Sequence, residues 1–233
     1  MRAVSIINAY YRNPEMLRRQ FENLATMPDK IRRNVEYLVC DDCSPEMIEA
    51  PEANPGFDYK LFRITRKTPW NWMAARNVCA AHAKTDWLLF TDMDHLVPEE
   101  TLRQVLKSTL SEWDVYRFSR VDAPDMTPYK PHPNSWLVSR RLFDRFVGFD
   151  ERWAGCYGSD YDVRDRLTAL ANRVVTLKSP LVRIPREIVA DASTTDFGRK
   201  ASEFSVAKAE RQETIRHEGG PPLTMSYPFE RVA

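Results

Sequence analysis

No hydrophobic run in this sequence approaches the roughly 18 uninterrupted apolar residues of a membrane-spanning helix. The first residues form a short apolar segment without a small-residue cleavage site, which is typical of a first strand rather than of a signal peptide. Hydrophobic residues make up 43% of the chain and charged residues 29%, as in proteins that pack a globular core. We therefore expect a cytoplasmic protein without a transmembrane segment.

The chain also lacks an excess of charge of either sign. Its 34 Lys and Arg residues balance 33 Asp and Glu residues and give a net charge of +1. Nucleic acids and anionic membranes attract proteins that carry a strongly positive field. Nucleic acid is therefore an allowed partner but not a favoured one.

Cysteine is scarce and forms no repeated metal-binding pattern. Of the four cysteines, only Cys40 and Cys43 form a C-x-x-C pair, which leaves a zinc or redox site as one interpretation. A zinc site would need a second ligand pair at regular spacing, whereas Cys79 and Cys156 stand alone. Reduced thiols in a cytoplasmic core are the favoured interpretation.

Two glycine-rich nucleotide-binding motifs are absent as well. No G-x-G-x-x-G follows the first predicted strand, and no Walker P-loop occurs anywhere in the chain. These absences argue against dinucleotide-binding enzymes and P-loop NTPases.

Strand-like and helix-like patterns alternate along the chain. In the first half we predict strands at residues 3–9, 35–40, 59–65 and 86–91 and helices at residues 14–27, 71–83 and 98–110. In the second half we predict strands at residues 115–119, 135–138 and 174–177, a helix that ends at residue 170, a polar stretch at residues 191–198 and a charged helix at residues 197–217. The alternation predicts one α/β domain with a mostly parallel central sheet and a C-terminal helical tail.

Two aspartates follow the most apolar of the predicted strands. If this strand continues through Asp94, the side chains of Asp92 and Asp94 project to the same side. Two carboxylates so close are costly unless a cation lies beside them, and oxygen ligands favour Mg²⁺ or Mn²⁺. In open α/β sheets ligands bind at the carboxyl ends of the strands, so Tyr11 and Asp42 are expected at the same edge. The alternative is that both aspartates only solvate the end of a strand.

Five short motifs, in the expected order, resemble a glycosyltransferase of the GT-A fold, most closely family 2. They cover residues 4–17, residues 39–44 (Val39-Cys40-Asp41-Asp42-Cys43-Ser44), residues 74–77 (Ala74-Ala75-Arg76-Asn77), residues 86–94, which include Asp92-Met93-Asp94, and residues 147–151 with 157–167, which include Tyr157-Gly158-Ser159-Asp160. The last motif is similar to that of galactosyltransferase-like and chondroitin-polymerase-like members.

The resemblance implies a metal-dependent enzyme that moves a sugar from a nucleotide-diphosphate donor to an acceptor hydroxyl. UDP is the expected nucleotide, inversion the expected course, and the acceptor is a glycan, a small molecule or another hydroxyl-bearing compound. The resemblance also implies a nucleotide-sugar-binding half at residues 1–97, an acceptor-side half at residues 98–180, and an extension or lid at residues 181–233 packed on the same domain.

The resemblance assigns roles to three carboxylates. Asp94 binds Mn²⁺ or Mg²⁺ directly, while Asp92 contacts the ribose and reaches the metal through water. Asp160 is the general base, and the neighbouring Asp162 is instead typical of a helix N-terminal carboxylate. Ser159 stands where the family usually has a glutamate that orients the acceptor.

The resemblance also implies contacts to the nucleotide and the sugars. Ala9, Tyr11, Asp42 and Arg76 lie at the nucleotide or its diphosphate, with Asp42 preferred to Asp41. Arg76 has an alternative interpretation as a partner in a structural ion pair. Trp153 and Tyr157 are candidate sugar-stacking platforms, although aromatic residues often pack in the core.

The position at which related enzymes often supply a metal-binding histidine reads Val182-Arg183-Ile184-Pro185-Arg186. We therefore take His217 from the tail as the candidate third ligand and His132 as the alternative.

Two other functions fit parts of the pattern. A sugar nucleotidyltransferase also uses an α/β sheet and Mg²⁺ beside carboxylates, but the motif around Asp160 argues against it. A non-catalytic nucleotide-sugar-binding protein would explain the departure at Ser159.

Overall fold

The computed structural model describes residues 3–190 and 201–233, which form one mixed sheet of ten strands with helices on both faces. In chain order the elements are β1 (Val4–Tyr10), α1 (Pro14–Ala25), α2 (Asp29–Arg32), β2 (Val35–Asp41), β3 (Asp58–Ile64), α3 (Trp72–His82), β4 (Trp87–Asp92), β5 (His95–Leu96), α4 (Glu99–Lys107), β6 (Asp114–Asp122), β7 (Thr127–Tyr129), β8 (Trp136–Ser139), α5 (Arg140–Phe146), α6 (Asp160–Leu170), β9 (Arg173–Arg183), α7 (Ala201–Glu218) and β10 (Phe229–Arg231). Within these residues no helix combines the length and the apolar character that crossing a bilayer requires.

The strand order is β10-β3-β2-β1-β4-β8-β6-β9-β5, and β7 pairs with β6. Strands β3, β2, β1 and β4 are parallel to one another, and β6 is parallel to β9. Strand β8 is antiparallel to both β4 and β6, and β10 is antiparallel to β3. The α/β class is confirmed, but the sheet is mixed because its second half includes strands that run against their neighbours.

The two faces of the sheet are covered by different helices. Helices α1, α2 and α4 pack on one face, around buried residues such as Phe21, Tyr37 and Leu102. Helices α3, α5 and α6 pack on the other, around Phe90 and Trp136. Because both faces are covered, the edge formed by the carboxyl ends of β1, β2 and β4 stays accessible to a ligand.

The residues just before α1 show how the local sequence determines where a helix begins. The side chain of Asn13 accepts a hydrogen bond from the Met16 N–H at 3.1 Å, and Pro14 occupies the first helical position. The missing proline N–H costs nothing there, so the predicted cap fixes the start of the helix directly after β1.

The C-terminal segment joins the same sheet. Strand β10 pairs with β3, with Phe229 opposite Ile64. The buried Glu151 accepts hydrogen bonds from the N–H groups of Met225 and Ser226, both at 2.7 Å. Strand β9 crosses the boundary predicted at residue 180, and the polar stretch predicted at residues 191–198, with the first residues of the helix predicted at 197–217, lies outside the described residues.

A buried ion pair lies at the opposite, amino-terminal edge of the parallel strands. Lys60 Nζ donates to Glu36 Oε1 at 2.5 Å, and the Ser5 hydroxyl and the Lys84 N–H donate to Glu36 Oε2, both at 2.8 Å. Burial alone would raise the pKa of Glu36, but these hydrogen bonds lower it below its usual value. The carboxylate therefore stabilises the folded state at neutral pH.

Substituting Glu36→Ala should lower the free energy of unfolding by about 3–5 kcal/mol, because the charge of Lys60 stays buried without its partner. A urea titration should show a lower midpoint with an unchanged slope. The exposed Glu22, which pairs with Arg18 on α1, provides the control, since Glu22→Ala should cost about 0.5 kcal/mol or less. The difference between wild type and Glu36→Ala should shrink as the pH falls below about 4, where the unfolded carboxyl is protonated first. Equal small effects of both substitutions would contradict this assignment.

Candidate active site

A cavity of about 430 Å³ opens at the carboxyl ends of β1, β2 and β4. Eight of the candidate site residues that the sequence singled out line it: Ala9, Tyr11, Asp42, Asp92, Asp94, His132, Tyr157 and Asp160. Other lining residues come from the second half of the domain: Arg120, Pro133, Asn134, Gly158, Arg183, Ile184 and Arg186. The cavity thus lies between the two halves of the sheet.

The paired aspartates reach the cavity through a turn rather than along an extended strand. Strand β4 ends at Asp92, Met93 and Asp94 form a turn, and β5 begins at His95. The alternation assumed for a strand through Asp94 therefore does not apply. The buried Gln20 amide holds the turn by donating to the carbonyls of Met93 at 2.8 Å and His95 at 2.9 Å. Gln20 thus fixes the turn that brings the carboxylates of Asp92 and Asp94 to the cavity.

Asp92 is held by two basic side chains. Arg76 Nη2 donates to Asp92 Oδ1 at 2.6 Å, and His132 Nε2 lies 3.2 Å from Asp92 Oδ2. Arg76 is fully buried beneath the cavity, donates to the Asn134 carbonyl at 3.0 Å and lies over the ring of Trp72. Burial lowers the pKa of Arg76 and of His132, that of His132 to about 4. Arg76 therefore acts on Asp92 as an ion-pair partner and does not itself line the cavity.

The side chain of Asp94 is less enclosed by protein atoms than that of Asp92. Its Oδ1 lies 2.6 Å from His95 Nδ1, and its side chain is 46% exposed. Burial of the carboxyl opposes ionisation, but His95, His132 and Arg120 together hold the pKa of Asp94 below its usual value. An ionised carboxylate with one engaged oxygen is suited to bind a cation in the cavity.

The second strand presents one of its two terminal aspartates to the cavity. Asp42 Oδ2 accepts a hydrogen bond from the Asn71 N–H at 2.7 Å, while its buried Oδ1 has no partner among the described residues. Burial raises the pKa of Asp42 well above its usual value. Asp41 instead uses Oδ1 to accept from the Ser44 N–H and hydroxyl. The preference for Asp42 thus agrees with the direction in which each side chain points.

Two carboxylates occupy the first turn of α6. Asp160 is the first residue of the helix, is half-buried and lines the cavity. Asp162 Oδ2 accepts from Arg166 Nε at 2.9 Å within the same helix. Ser159 is 1% exposed, and its Oγ has no partner in the described part of the chain. Asp160 is thus the carboxylate of the pair that a ligand in the cavity can reach.

The aromatic residues of the cavity differ in part from those that the sequence suggested. The rings of Trp70 and Tyr157 lie 5.4 Å apart, and both residues line the cavity together with Trp72. Trp153, in contrast, is 2% exposed and packs edge-on against Tyr161, so it belongs to the core. The sequence offers Trp70 and Trp72 as candidate stacking platforms too, but nearness to Asp160 favoured Trp153 over these two residues at the start of α3.

The predicted third metal ligand is not brought to the cavity. His217 lies exposed in the last turn of α7, outside the cavity lining, and the adjacent Glu218 lies 3.6 Å from Arg152. His132, the alternative, lines the cavity beside Asp92. All four cysteines are free thiols, and the described residues contain no group of three or more His, Cys, Asp or Glu side chains arranged to hold a metal.

This donor set still fits a cation that is shared with a substrate. Mg²⁺ and Mn²⁺ are commonly held by one or two carboxylates together with phosphate oxygens and water, without a complete cage of protein ligands. Asp94 supplies one such carboxylate, and Asp92 lies next to it.

The motif order and this geometry agree with comparisons to known proteins. The model of the family described as Glycosyl transferase family 2 matches residues 5–161. The chain belongs to glycosyl transferase family 2. The matched residues of this family 2 domain extend from β1 through the paired aspartates to the first turn of α6, and so include Asp160.

Solved structures match over most of the chain. S. aureus TarS 1–349 in complex with UDP-GlcNAc has a TM-score of 0.70 at 17% identity and is matched over 91% of this chain and 66% of its own. The mannosyltransferase PcManGT from Pyrobaculum calidifontis in complex with GDP-Man and Mn²⁺ has a TM-score of 0.62 at 19% identity, with 95% and 66% covered. These matches confirm the predicted GT-A fold of the family 2 domain.

A curated relative matches a shorter part of the chain. An uncharacterized glycosyltransferase of Haemophilus influenzae is 30% identical over 84 residues, which are 36% of this chain and 28% of the relative. The matched segment therefore spans less than a third of that protein, and the chain covers about two thirds of the matched TarS structure.

Proposed function

We propose that this family 2 domain transfers a sugar from a nucleotide-diphosphate donor, with UDP as the expected nucleotide, to an acceptor hydroxyl with inversion. The observation that carries the proposal is the convergence of Asp42, Asp94 and Asp160 on one cavity, from three separate parts of the chain. Asp42 supplies a hydrogen-bond acceptor for the nucleobase, Asp94 supplies a carboxylate for a cation, and Asp160 is the candidate general base. Structural neighbours were crystallised with UDP-GlcNAc and with GDP-Man and Mn²⁺, which supports a nucleotide-sugar donor.

The base of the nucleotide is expected between β1 and β2. Ala9 and Tyr11 line this end of the cavity, and Asp42 Oδ1 is a buried acceptor without a partner among the described residues. Leaving a buried acceptor unpaired costs free energy, so a ligand N–H that reaches it is favoured. The ring N–H of uracil provides such a donor.

Substituting Asp42→Ala should weaken the binding of UDP by about 10- to 100-fold, the equivalent of losing one hydrogen bond to a charged or buried group. Asp42→Asn keeps an oxygen acceptor and should lose less. Both affinities can be measured by titration calorimetry without metal. Wild-type affinity for UDP in Asp42→Ala would remove Asp42 from the nucleotide site.

The diphosphate is expected beside Asp92 and Asp94. When bound, Mn²⁺ or Mg²⁺ would supply charge stabilisation for the diphosphate leaving group. Asp94 would hold the cation, while Asp92, fixed by Arg76, would contact the ribose. Asp160 lines the same cavity, so a donor held by Asp92 and Asp94 would share this space with the proposed general base.

Asp160 is proposed to remove the proton of the acceptor hydroxyl. Its place at the start of α6 brings its carboxylate to the cavity, where an acceptor hydroxyl can approach it. Tyr157, beside Trp70, offers an aromatic face on which a saccharide acceptor could stack. The similarity of this segment to galactosyltransferase-like and chondroitin-polymerase-like members supports a glycan acceptor, with a small molecule as the alternative.

One experiment separates this proposal from its two rivals. The protein is incubated with UDP-sugars and Mn²⁺, with water or an added saccharide as the sugar acceptor and with pyrophosphate in a parallel sample, and the products are analysed by ion-exchange chromatography. A sugar transferase releases UDP, a nucleotidyltransferase consumes or releases pyrophosphate, and a non-catalytic binding protein leaves the donor intact. Metal-dependent release of UDP is the expected result, and pyrophosphate exchange without UDP release would overturn the proposal.

A further inference from the structure

Two buried side chains near Asp94, His95 and the cavity-lining Arg120, have no role in the function proposed so far. His95 is fully buried, and its Nδ1 lies 2.6 Å from Asp94 Oδ1. Its Nε2 lies 3.1 Å from Nη1 of Arg120, which is 6% exposed. The three side chains therefore form a continuous chain of contacts from β6 through β5 to the cavity.

The chemistry of these groups fixes the position of the ring proton of His95. A guanidinium can only donate hydrogen bonds, so His95 Nε2 must accept from Arg120. The proton of the neutral ring then lies on Nδ1, where it is donated to Asp94 Oδ1. Arg120 thus determines which tautomer of His95 faces Asp94.

This arrangement engages one carboxylate oxygen of Asp94 and leaves the other without a protein partner among the described residues. Oδ1 is engaged by His95, and the described residues provide no hydrogen bond to Oδ2. The backbone on either side is held as well, because the Ile184 N–H donates to the Asp94 carbonyl at 2.8 Å and Gln20 binds the carbonyl of His95. The carboxylate can therefore rotate little, and Oδ2 is the oxygen left for a ligand in the cavity.

We propose that Arg120 and His95 are positioning residues that orient Asp94 for cation binding. The inference rests on the proposed function, since it concerns how the protein presents Asp94 to the cation. The neighbouring aspartate has a matching support: the ring of His132 lies 4.4 Å from that of His95, and its Nε2 lies 3.2 Å from Asp92 Oδ2. Each carboxylate of the pair is thus backed by its own imidazole. Partners of this kind behind a ligand typically change metal affinity by about 10- to 100-fold when they are removed.

The first test reads the tautomer directly. Long-range ¹H–¹⁵N spectra of the wild-type protein without metal should show His95 protonated on Nδ1 and unprotonated on Nε2. A ring protonated on Nε2 would overturn the assignment, because Arg120 could then not donate to it. This measurement does not depend on any activity.

The second test measures the affinity of the protein–UDP complex for Mn²⁺ by electron paramagnetic resonance. His95→Leu and Arg120→Met should each weaken Mn²⁺ binding by about 10- to 100-fold. The affinity of His95→Leu for UDP without metal should stay unchanged, because His95 does not line the cavity. His95→Asn keeps an N–H donor near the position of Nδ1 and should restore most of the Mn²⁺ affinity. Arg117→Met, on the same strand as Arg120 but placed over the ring of Trp136, is the matched control and should leave Mn²⁺ affinity unchanged.

The outcomes separate the inference from the proposed function. Wild-type Mn²⁺ affinity in folded His95→Leu or Arg120→Met would overturn the positioning role. A parallel loss of metal-free UDP affinity in His95→Leu would also overturn it, because that result indicates general damage to the site. Failure of the wild-type protein to bind Mn²⁺ with UDP present would overturn the proposed metal dependence and the positioning role together. If His95→Leu does not fold, the Mn²⁺ affinity of Arg120→Met, measured at saturating UDP, decides.

Discussion

Replacing Asp94 by asparagine is expected to reduce sugar transfer by about 10³-fold, equivalent to about 4 kcal/mol of transition-state stabilisation. The substitution keeps the size of the side chain but removes the negative charge that would hold a cation beside the leaving diphosphate. The amide can also present an N–H₂ group to the cavity, which repels a cation. Release of UDP from the donor, measured over a range of Mn²⁺ concentrations and with a chelator, gives both the rate and its metal dependence.

The residual activity of Asp94→Asn should no longer respond to Mn²⁺. Asp125→Asn, a substitution in the exposed turn between β6 and β7, serves as a control and should keep wild-type rates. Rates of Asp94→Asn that remain near wild type and still rise with Mn²⁺ would show that another group holds the metal.

Replacing Asp160 by asparagine is expected to reduce transfer by about 10²- to 10⁴-fold, the usual range for loss of a general base. The affinity for UDP should stay within about twofold of wild type, because Asp160 lies on α6 and the nucleotide is expected at β1 and β2. Single-turnover transfer and a separate UDP titration measure the two effects independently.

Asp162 provides a matched control in the same turn of α6. Its carboxylate is paired with Arg166, so Asp162→Asn should cost about 0.5 kcal/mol of stability and little transfer activity. A greater loss of transfer in Asp162→Asn than in Asp160→Asn would identify Asp162, and not Asp160, as the general base. A loss of UDP affinity in Asp160→Asn equal to its loss of transfer would argue for a role in donor binding instead.

The main elements of the fold could be predicted from sequence because they have long, regular patterns. The strand at residues 35–40 is apolar except for Glu36, and Asn13-Pro14 marks the start of α1 by a local hydrogen bond. Strands β5, β7 and β10 contain two or three residues each, too few for a periodic pattern to appear. The local sequence pattern also could not predict that the sheet is mixed, because the direction of β8 depends on pairing with strands that are distant in sequence.

The same distinction applies to the candidate site. Asp42, Asp92 and Asp94 could be found because each follows a predictable strand whose end lies at the ligand-binding edge. Arg120 and His95 could not, since their contact depends on how β6, β9 and β5 pair across the second half of the sheet. His217 and Trp153 were chosen for the kind of side chain and for nearness in sequence, and neither property shows where a side chain points.

Titration of UDP into the protein with and without Mn²⁺ tests the central claim most directly, since that claim joins a nucleotide diphosphate to a cation held by Asp94. In the wild-type protein Mn²⁺ should tighten UDP binding at least about tenfold, or about 1.4 kcal/mol. In Asp94→Asn the affinity without metal should be retained and the tightening lost. Equal UDP affinity with and without Mn²⁺ in the wild-type protein, or full tightening in Asp94→Asn, would contradict the account.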